Sequence, residues 1–321
     1  MEKRFDVVAL GELLIDFTQN GTSDQDNPLF EANPGGAPCN VLAMLKKLGK
    51  SCAFIGKVGD DMFGRSLRDT VASIGIDTGS LLFDKTVNTT LAFVQTFENG
   101  DRDFSFYRNP GADMMLDSEE IPEDVVKSAK IFHFGTLSMT HEDVRAATKK
   151  AVAIARENGC LISFDPNLRP PLWSSLDAAK EQIEWGLSQC DILKIADNEI
   201  EFLSGSTDFD EGAAYLKKNF PNIRLINITA GPDGSYSYYD NNQVYVPAFQ
   251  LGGTIETTGA GDTFCASVLG FVLDNGLDGL SETDLCDMLR FANAAAYIVT
   301  TRKGAIRSMP ERTQVEAILS E

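Results

Sequence analysis

FDVVALGELLIDF, residues 5–17, is close to a continuous apolar run. A strand with one wet face alternates apolar and polar residues. A run apolar at nearly every position suits a strand buried on both faces, as in a parallel sheet covered by helices on each side. Lys3 and Arg4 precede the run in the manner of a secretory leader. However, Asp6, Glu12 and Asp16 interrupt it and no small-residue cleavage site follows, so it reads as a first strand. Further buried strands are expected at 52–59, 131–134, 161–165, 192–195 and 225–229. Helical spacing is expected at 40–48, 63–74, 141–158, 176–188, 210–220, 260–275 and 282–301, with a short helix from 311. Strands alternating with helices imply an α/β fold, a doubly wound, mostly parallel sheet with ligands at the carboxyl ends of its strands.

One stretch breaks this rhythm. TLAFVQTFENGDRDFSFYR, residues 90–108, alternates apolar and polar residues around Asn99-Gly100, the signature of a hairpin whose turn needs positive φ. With the loop at 18–34 it reads as a small antiparallel lid, about 12–34 and 88–112, on a single domain spanning 1–321. GSYSYYDNNQVYVPAF, residues 234–249, reads as another hairpin.

Composition excludes several functions. The formal net charge is −19, so nucleic acid and anionic membrane surfaces are not expected partners. No stretch approaches twenty continuous apolar residues. The six cysteines are widely spaced with no CxxC pair, which suits free thiols in a reducing cytoplasm. The scarcity of histidine, with His133 and His141 alone, argues against a zinc site and against a Ser-His-Asp or Cys-His hydrolase. MLKKLGKS (44–51) lacks the first glycine of a Walker A loop, and GAGDTF (259–264) has Phe264 where a dinucleotide fingerprint needs glycine.

GAGD, residues 259–262, nevertheless has a chemistry of its own. Gly259, Ala260 and Gly261 let a ligand approach the backbone. A helix starting there presents unpartnered N–H groups and a partial positive charge to an anion, such as a transferring phosphoryl group. Asp262 is then placed to take a proton from an attacking hydroxyl. The plainer alternative is an acid that favours the dipole of its own helix. GGAPCN, residues 35–40, again sets paired glycines before a helix, with Asn40 at its first turn. Asp16 ends the first apolar run, where ligands bind in such sheets.

Residues 35–40 and 257–262 together are the two signature segments of the ribokinase-like carbohydrate kinases, the B-type phosphofructokinase family, which this sequence resembles along nearly all its length. The resemblance implies a three-layer sandwich with a central, mostly parallel sheet and a small β lid. It also implies phosphorylation of a sugar or nucleoside hydroxyl with ATP and Mg2+. It assigns Asp262 as the base, Gly259, Ala260 and Gly261 as the anion hole, and Asp16, Gly35, Gly36 and Asn40 as sugar contacts. NEIE resembles the family's NxxE element, so Asn198 and Glu201 would organise magnesium and phosphates, with Glu201 acting on the ion indirectly. TAGPDG resembles its TxGxxG element, which places Thr229, Gly231 and Gly234 at the ATP phosphates and ribose. FANAAAYIVTTRKGA puts Asn293 and Gly304 near the adenine.

Glu256, Thr258 and Ser308 match a loop that binds a monovalent cation in relatives. Many relatives have Asp at the Glu256 position, and the extra methylene displaces the carboxylate, which leaves a need for K+ open. FSFYRNPGAD and FDPNLRPPLW look most like the fructokinase branch, with Arg108 reaching from the lid to the sugar and Arg169 contacting substrate or developing charge. That branch implies fructose 6-phosphate as product. 2-Keto-3-deoxygluconate kinase, ribokinase and aminoimidazole riboside kinase are the alternatives, and a non-catalytic sugar-binding regulator is the alternative of another class. Small-molecule sugar and ATP are the expected partners, and the apolar lid sheet offers a homodimer clasp.

Overall fold

The opening run is two strands rather than one. In the computed structural model, which describes residues 3–96 and 102–320, β1 (Phe5–Leu10) enters a large sheet and β2 (Leu14–Thr22) leaves it. The break falls at Gly11 and Glu12. A side chain at Gly11 would meet Pro38 Cγ at 2.6 Å, and the buried Glu12 carboxylate accepts the Ala37 N–H at 2.8 Å. Apolar content could not show this break, because both halves are covered by the same core: Val7, Ala9, Leu13 and Ile15 all belong to it.

After β2, β3 (Pro28–Gly35) completes a hairpin, and α1 (Ala37–Lys47), β4 (Cys52–Gly59), α2 (Met62–Ser73) and β5 (Asp77–Asp84) follow. A second hairpin is made by β6 (Leu91–Thr96) and β7 (Arg102–Tyr107). Its expected Asn99-Gly100 turn lies outside the described residues. The alternating part contains α3 (Glu123–Lys127), β8 (Ala129–Gly135), α4 (Glu142–Glu157), β9 (Leu161–Asp165), α5 (Leu176–Gln189) and β10 (Ile192–Ala196). Then come α6 (Asp197–Ser204), α7 (Phe209–Asn219), β11 (Leu225–Thr229), and the hairpin β12 (Ser235–Tyr239) and β13 (Asn242–Val246). Three helices close the chain: α8 (Ala260–Asn275), α9 (Glu282–Thr300) and α10 (Arg312–Leu319).

The large sheet runs β13-β12-β11-β10-β9-β8-β1-β4-β5, parallel from β11 to β5 and antiparallel at the β12–β13 edge. Helices cover both faces, as β1 shows. Val7 and Ala9 face one apolar core with α1, α8 and α9, while Val8 and Leu10 face another with α4 and α5. All four are fully buried, at about 1.5–3 kcal/mol for a Val or Leu side chain. This is the expected three-layer sandwich.

The lid differs from its expectation in one respect. The order is β3-β2-β6-β7, with two antiparallel hairpins joined by a parallel β2–β6 pairing, so the lid sheet is mixed. Asp16 therefore belongs to a lid strand, opposite Asn33, rather than to the end of the first core strand. The edge strand β5 and the helix α6 are further elements that the apolar pattern did not reveal. Among the described residues, no helix is long and apolar enough to cross a membrane.

Candidate active site

A cleft of about 430 Å3 opens where the lid overhangs the carboxyl ends of the parallel strands. Asp16 and Asn33 reach it from the lid, Lys194 from the middle of β10, Thr229 from the end of β11, and Asn40 and Asp262 from the first turns of α1 and α8. Both helices begin at a glycine with positive φ: Gly36 (128°) before α1 and Gly259 (78°) before α8. Gly36 admits no side chain, since a Cβ would stand 2.4 Å from the Glu12 carbonyl oxygen.

Asp262 lies in the first turn of its helix, where an acid favours the dipole, but its side chain does more than that. Asn40 Nδ2 donates to it at 2.7 Å across 222 residues of sequence. Burial pushes its carboxyl up to about 6; the Asn40 hydrogen bond pulls down, Asp165 pushes up, and Lys194 and Arg169 pull down. Asn40 Oδ1 is buried without a partner among the described residues. Such an acceptor is costly to leave unmade, and a hydroxyl donor would satisfy it.

The amides beside Asp262 divide. Ala260 N–H donates to the Thr257 carbonyl at 3.2 Å. Those of Gly259, Gly261 and Asp262 have no acceptor among the described residues. A side chain at Gly261 would crowd Lys194, since a Cβ there would lie 3.2 Å from its Nζ. That ammonium contacts Asp165 at 3.1 Å, and both side chains are buried. Burial alone would lower the lysine's pKa, but Asp165, Glu199 and Asp262 outweigh it and hold the group charged. Asp16 and Glu12 complete the acidic lining. Burial lifts each to about 7, against the opposing charge of Arg169 at Asp16 and the backbone hydrogen bonds at Glu12.

A lid, two helix N-termini and a carboxylate thus meet at one cleft. The model of the pfkB family carbohydrate kinases matches residues 4–312. The chain belongs to that family. This pfkB-family kinase is 41% identical to fructokinase-2 of Solanum habrochaites over 315 residues, covering 98% of this chain and 95% of that one. Among solved structures it is similar to the ATP-bound fructokinase of Xylella fastidiosa, with a TM-score of 0.89, 29% identity and 98% coverage of both chains. It is also similar to the Vibrio cholerae O395 fructokinase bound to fructose, ADP and calcium. There the TM-score is 0.87 and the identity 30%, with 98% of this chain and 99% of the other covered.

The kinase brings many of the expected residues to one cleft. Asp16, Gly36, Asn40, Arg169, Asn198, Thr229, Gly231, Glu256, Thr258, Gly259, Gly261, Asp262 and Gly304 all line it. Gly35 acts one step back: a Cβ there would sit 2.3 Å from Asp16 Oδ2, so the glycine makes room for that carboxylate. Six of the expected residues are engaged elsewhere or lie outside the cleft lining in this structure. Ala260 spends its amide on the turn, as described above. Arg108 is buried in an ion pair with Asp113, 2.7 Å away, instead of extending to the cleft. Glu201 points to solvent, because two residues along a helix turn it away from the buried Glu199, which does line the cleft.

Gly234 packs against the Val246 carbonyl, 2.3 Å from where a Cβ would stand. Asn293 is saturated by Ser235 Oγ and by the Val246 and Pro247 carbonyls, so it ties α9 to the β12–β13 edge. Ser308 Oγ donates to the Lys303 carbonyl, away from the cleft. Glu256, with its longer side chain, accepts the Gly304 N–H at 2.9 Å.

Sequence reasoning missed Glu12, Asp165, Lys194 and Glu199. Lys194 carried a usable signal, a lysine in the middle of the apolar strand DILKIA, where a charge must find a partner. Glu199 accepts two backbone N–H groups, from Leu168 at 2.7 Å and Ala196 at 2.8 Å. It thereby joins the ends of β9 and β10.

Proposed function

We propose that the kinase transfers the γ-phosphoryl group of ATP to fructose, giving fructose 6-phosphate. The observation that carries this reading is the Asp262 carboxylate, held by Asn40 at 2.7 Å beside amides with no partner among the described residues. The fructokinases it resembles support fructose as acceptor. Sugar hydroxyls meet Asp16 and Asn40 under the lid, with Arg169 alongside. Asp262 takes the proton of the attacking hydroxyl as its oxygen bonds to phosphorus and the bond to the ADP oxygen breaks. The N–H groups of Gly259, Gly261 and Asp262 donate to the equatorial oxygens, where charge develops. The lid excludes water, which would otherwise accept the phosphoryl group.

Thr229, Gly231 and Gly304 border the ATP side. Magnesium would supply positive charge against the phosphates there. Among the described residues no three acidic, histidine or cysteine side chains form a metal cluster, and Lys194 already neutralises Asp165. Of the cleft-lining residues, Asn198 and Glu199 would hold such an ion, through its water or phosphate ligands.

The test is a coupled assay of fructose, ribose, 2-keto-3-deoxygluconate and aminoimidazole riboside with MgATP. Fructose is expected to give the highest kcat/KM; preference for another sugar would move the substrate, and no turnover on any would remove the kinase reading. The pH profile follows from the raised carboxyls. Asp262 must be deprotonated to act, so kcat/KM is expected to fall as pH drops through about 6. Asp16, at about 7, steepens this limb beyond a single proton. A rate unchanged down to pH 5 would contradict the assignment. We further propose a homodimer through the lid, supported by exposed Leu29, Phe30 and Tyr107 and testable by mass in solution. A reducing compartment is supported by the six free cysteines.

A further inference from the structure

The outer lid hairpin joins the body at two feet, Thr90 before β6 and Arg108 after β7, and one buried carboxylate holds both. Thr90 Oγ1 donates to Asp113 Oδ1. Arg108 Nε donates to Asp113 Oδ2 at 2.8 Å, and a second guanidinium nitrogen lies 2.7 Å from that oxygen. The remaining guanidinium N–H groups cross to the body, reaching Thr140 Oγ1 at 2.8 Å and the carbonyl of Leu137 at 2.9 Å. Leu137 lines the cleft, as do the lid residues Val94 and Phe106. Thr90 also accepts the Ile15 N–H through its carbonyl at 3.2 Å, which ties in the inner hairpin. The space admits no extra atom: a Cβ on Gly111 would stand 1.8 Å from Thr90 Oγ1.

We propose that Arg108 and Asp113 are positioning residues for the sugar, fixing the outer lid hairpin over the cleft wall at Leu137. The inference rests on the carbohydrate-kinase reading. A buried ion pair is a poor source of net stability, since an apolar pair of similar volume often replaces it without loss. Its distinctive effect is to fix one arrangement. Removing it frees the hairpin that carries Val94 and Phe106, so the sugar is held loosely while the ATP side is untouched.

The test compares Asp113→Asn, Arg108→Lys and the apolar double variant Arg108→Met/Asp113→Leu with the wild type. Readouts are KM for sugar, KM for ATP, sugar-independent ATP hydrolysis and thermal midpoint. Asp113→Asn and the double variant are expected to raise the sugar KM at least tenfold, keep the ATP KM within twofold, and raise wasted ATP hydrolysis severalfold. Arg108→Lys should fall between them and the wild type. A lowered midpoint with unchanged sugar KM and unchanged coupling would make the pair merely structural and overturn the proposal. Should the charge variants fail to fold, Thr90→Val removes one hydroxyl from one foot: a sugar KM raised severalfold supports the proposal, and an unchanged one overturns it. A wild type inactive on every sugar would remove the kinase reading itself. An active wild type with normal variants would remove only the positioning role.

Discussion

Asp262→Asn is expected to lower kcat by roughly 10²–10⁴-fold, the usual span for losing a general base, while sugar affinity stays within a few-fold. The amide keeps the shape of the carboxylate and still offers an oxygen to Asn40 Nδ2, now 2.7 Å from Asp262. What it loses is the ability to take a proton. Stability gives the independent check. Burial raises this carboxyl to about 6, so its charged form is disfavoured by the fold, and the neutral variant is expected to melt at the same or a higher temperature. Linkage has the same sign: native Asp262 holds its proton more tightly than the unfolded chain does, so its contribution to stability is lost as pH rises from about 4 to about 6. Wild-type-like turnover in a correctly folded variant would refute the assignment of the base.

Lys194→Met should be the most destabilising change near the cleft. It leaves Asp165, Glu199 and Asp262 together with no ammonium among them. Breaking a buried pair from one side typically costs about 3–5 kcal/mol, which for a chain of this length lowers the thermal midpoint by roughly 5–8 °C. A kinetic signature should accompany it. Lys194 pulls the Asp262 carboxyl down, so its removal should move the acid limb of kcat/KM to higher pH. An unchanged midpoint together with an unmoved limb would show that the ammonium neither neutralises the cluster nor acts on the base.

Much of the layer structure was legible because burial on both faces leaves a mark on composition. β9, β11 and α8 have the boundaries that periodicity implied, and β4 was readable as CAFIGKVG. The 5–17 run misled because apolar content does not say where a strand changes sheets; Gly11 and Glu12 do, but only once Pro38 and Ala37 are packed against them. The NEIE reading divides similarly: Asn198 lines the cleft and Glu201 does not. Two glutamates two positions apart look alike in sequence, and the rotation of α6 makes Glu199 the buried one.

By itself, then, the sequence determined the alternation of strands and helices, the two glycine-opened helices, and the identity of the acid between them. Those properties are local, set by periodicity and by backbone freedom at Gly36 and Gly259. Tertiary structure alone decided that Asn40 grips Asp262, that Lys194 lies under the open amides, and that Arg108 turns from the cleft to hold the feet of the lid. Each is a contact between distant segments, and which charge finds which partner depends on desolvation in the assembled core, which no single segment carries.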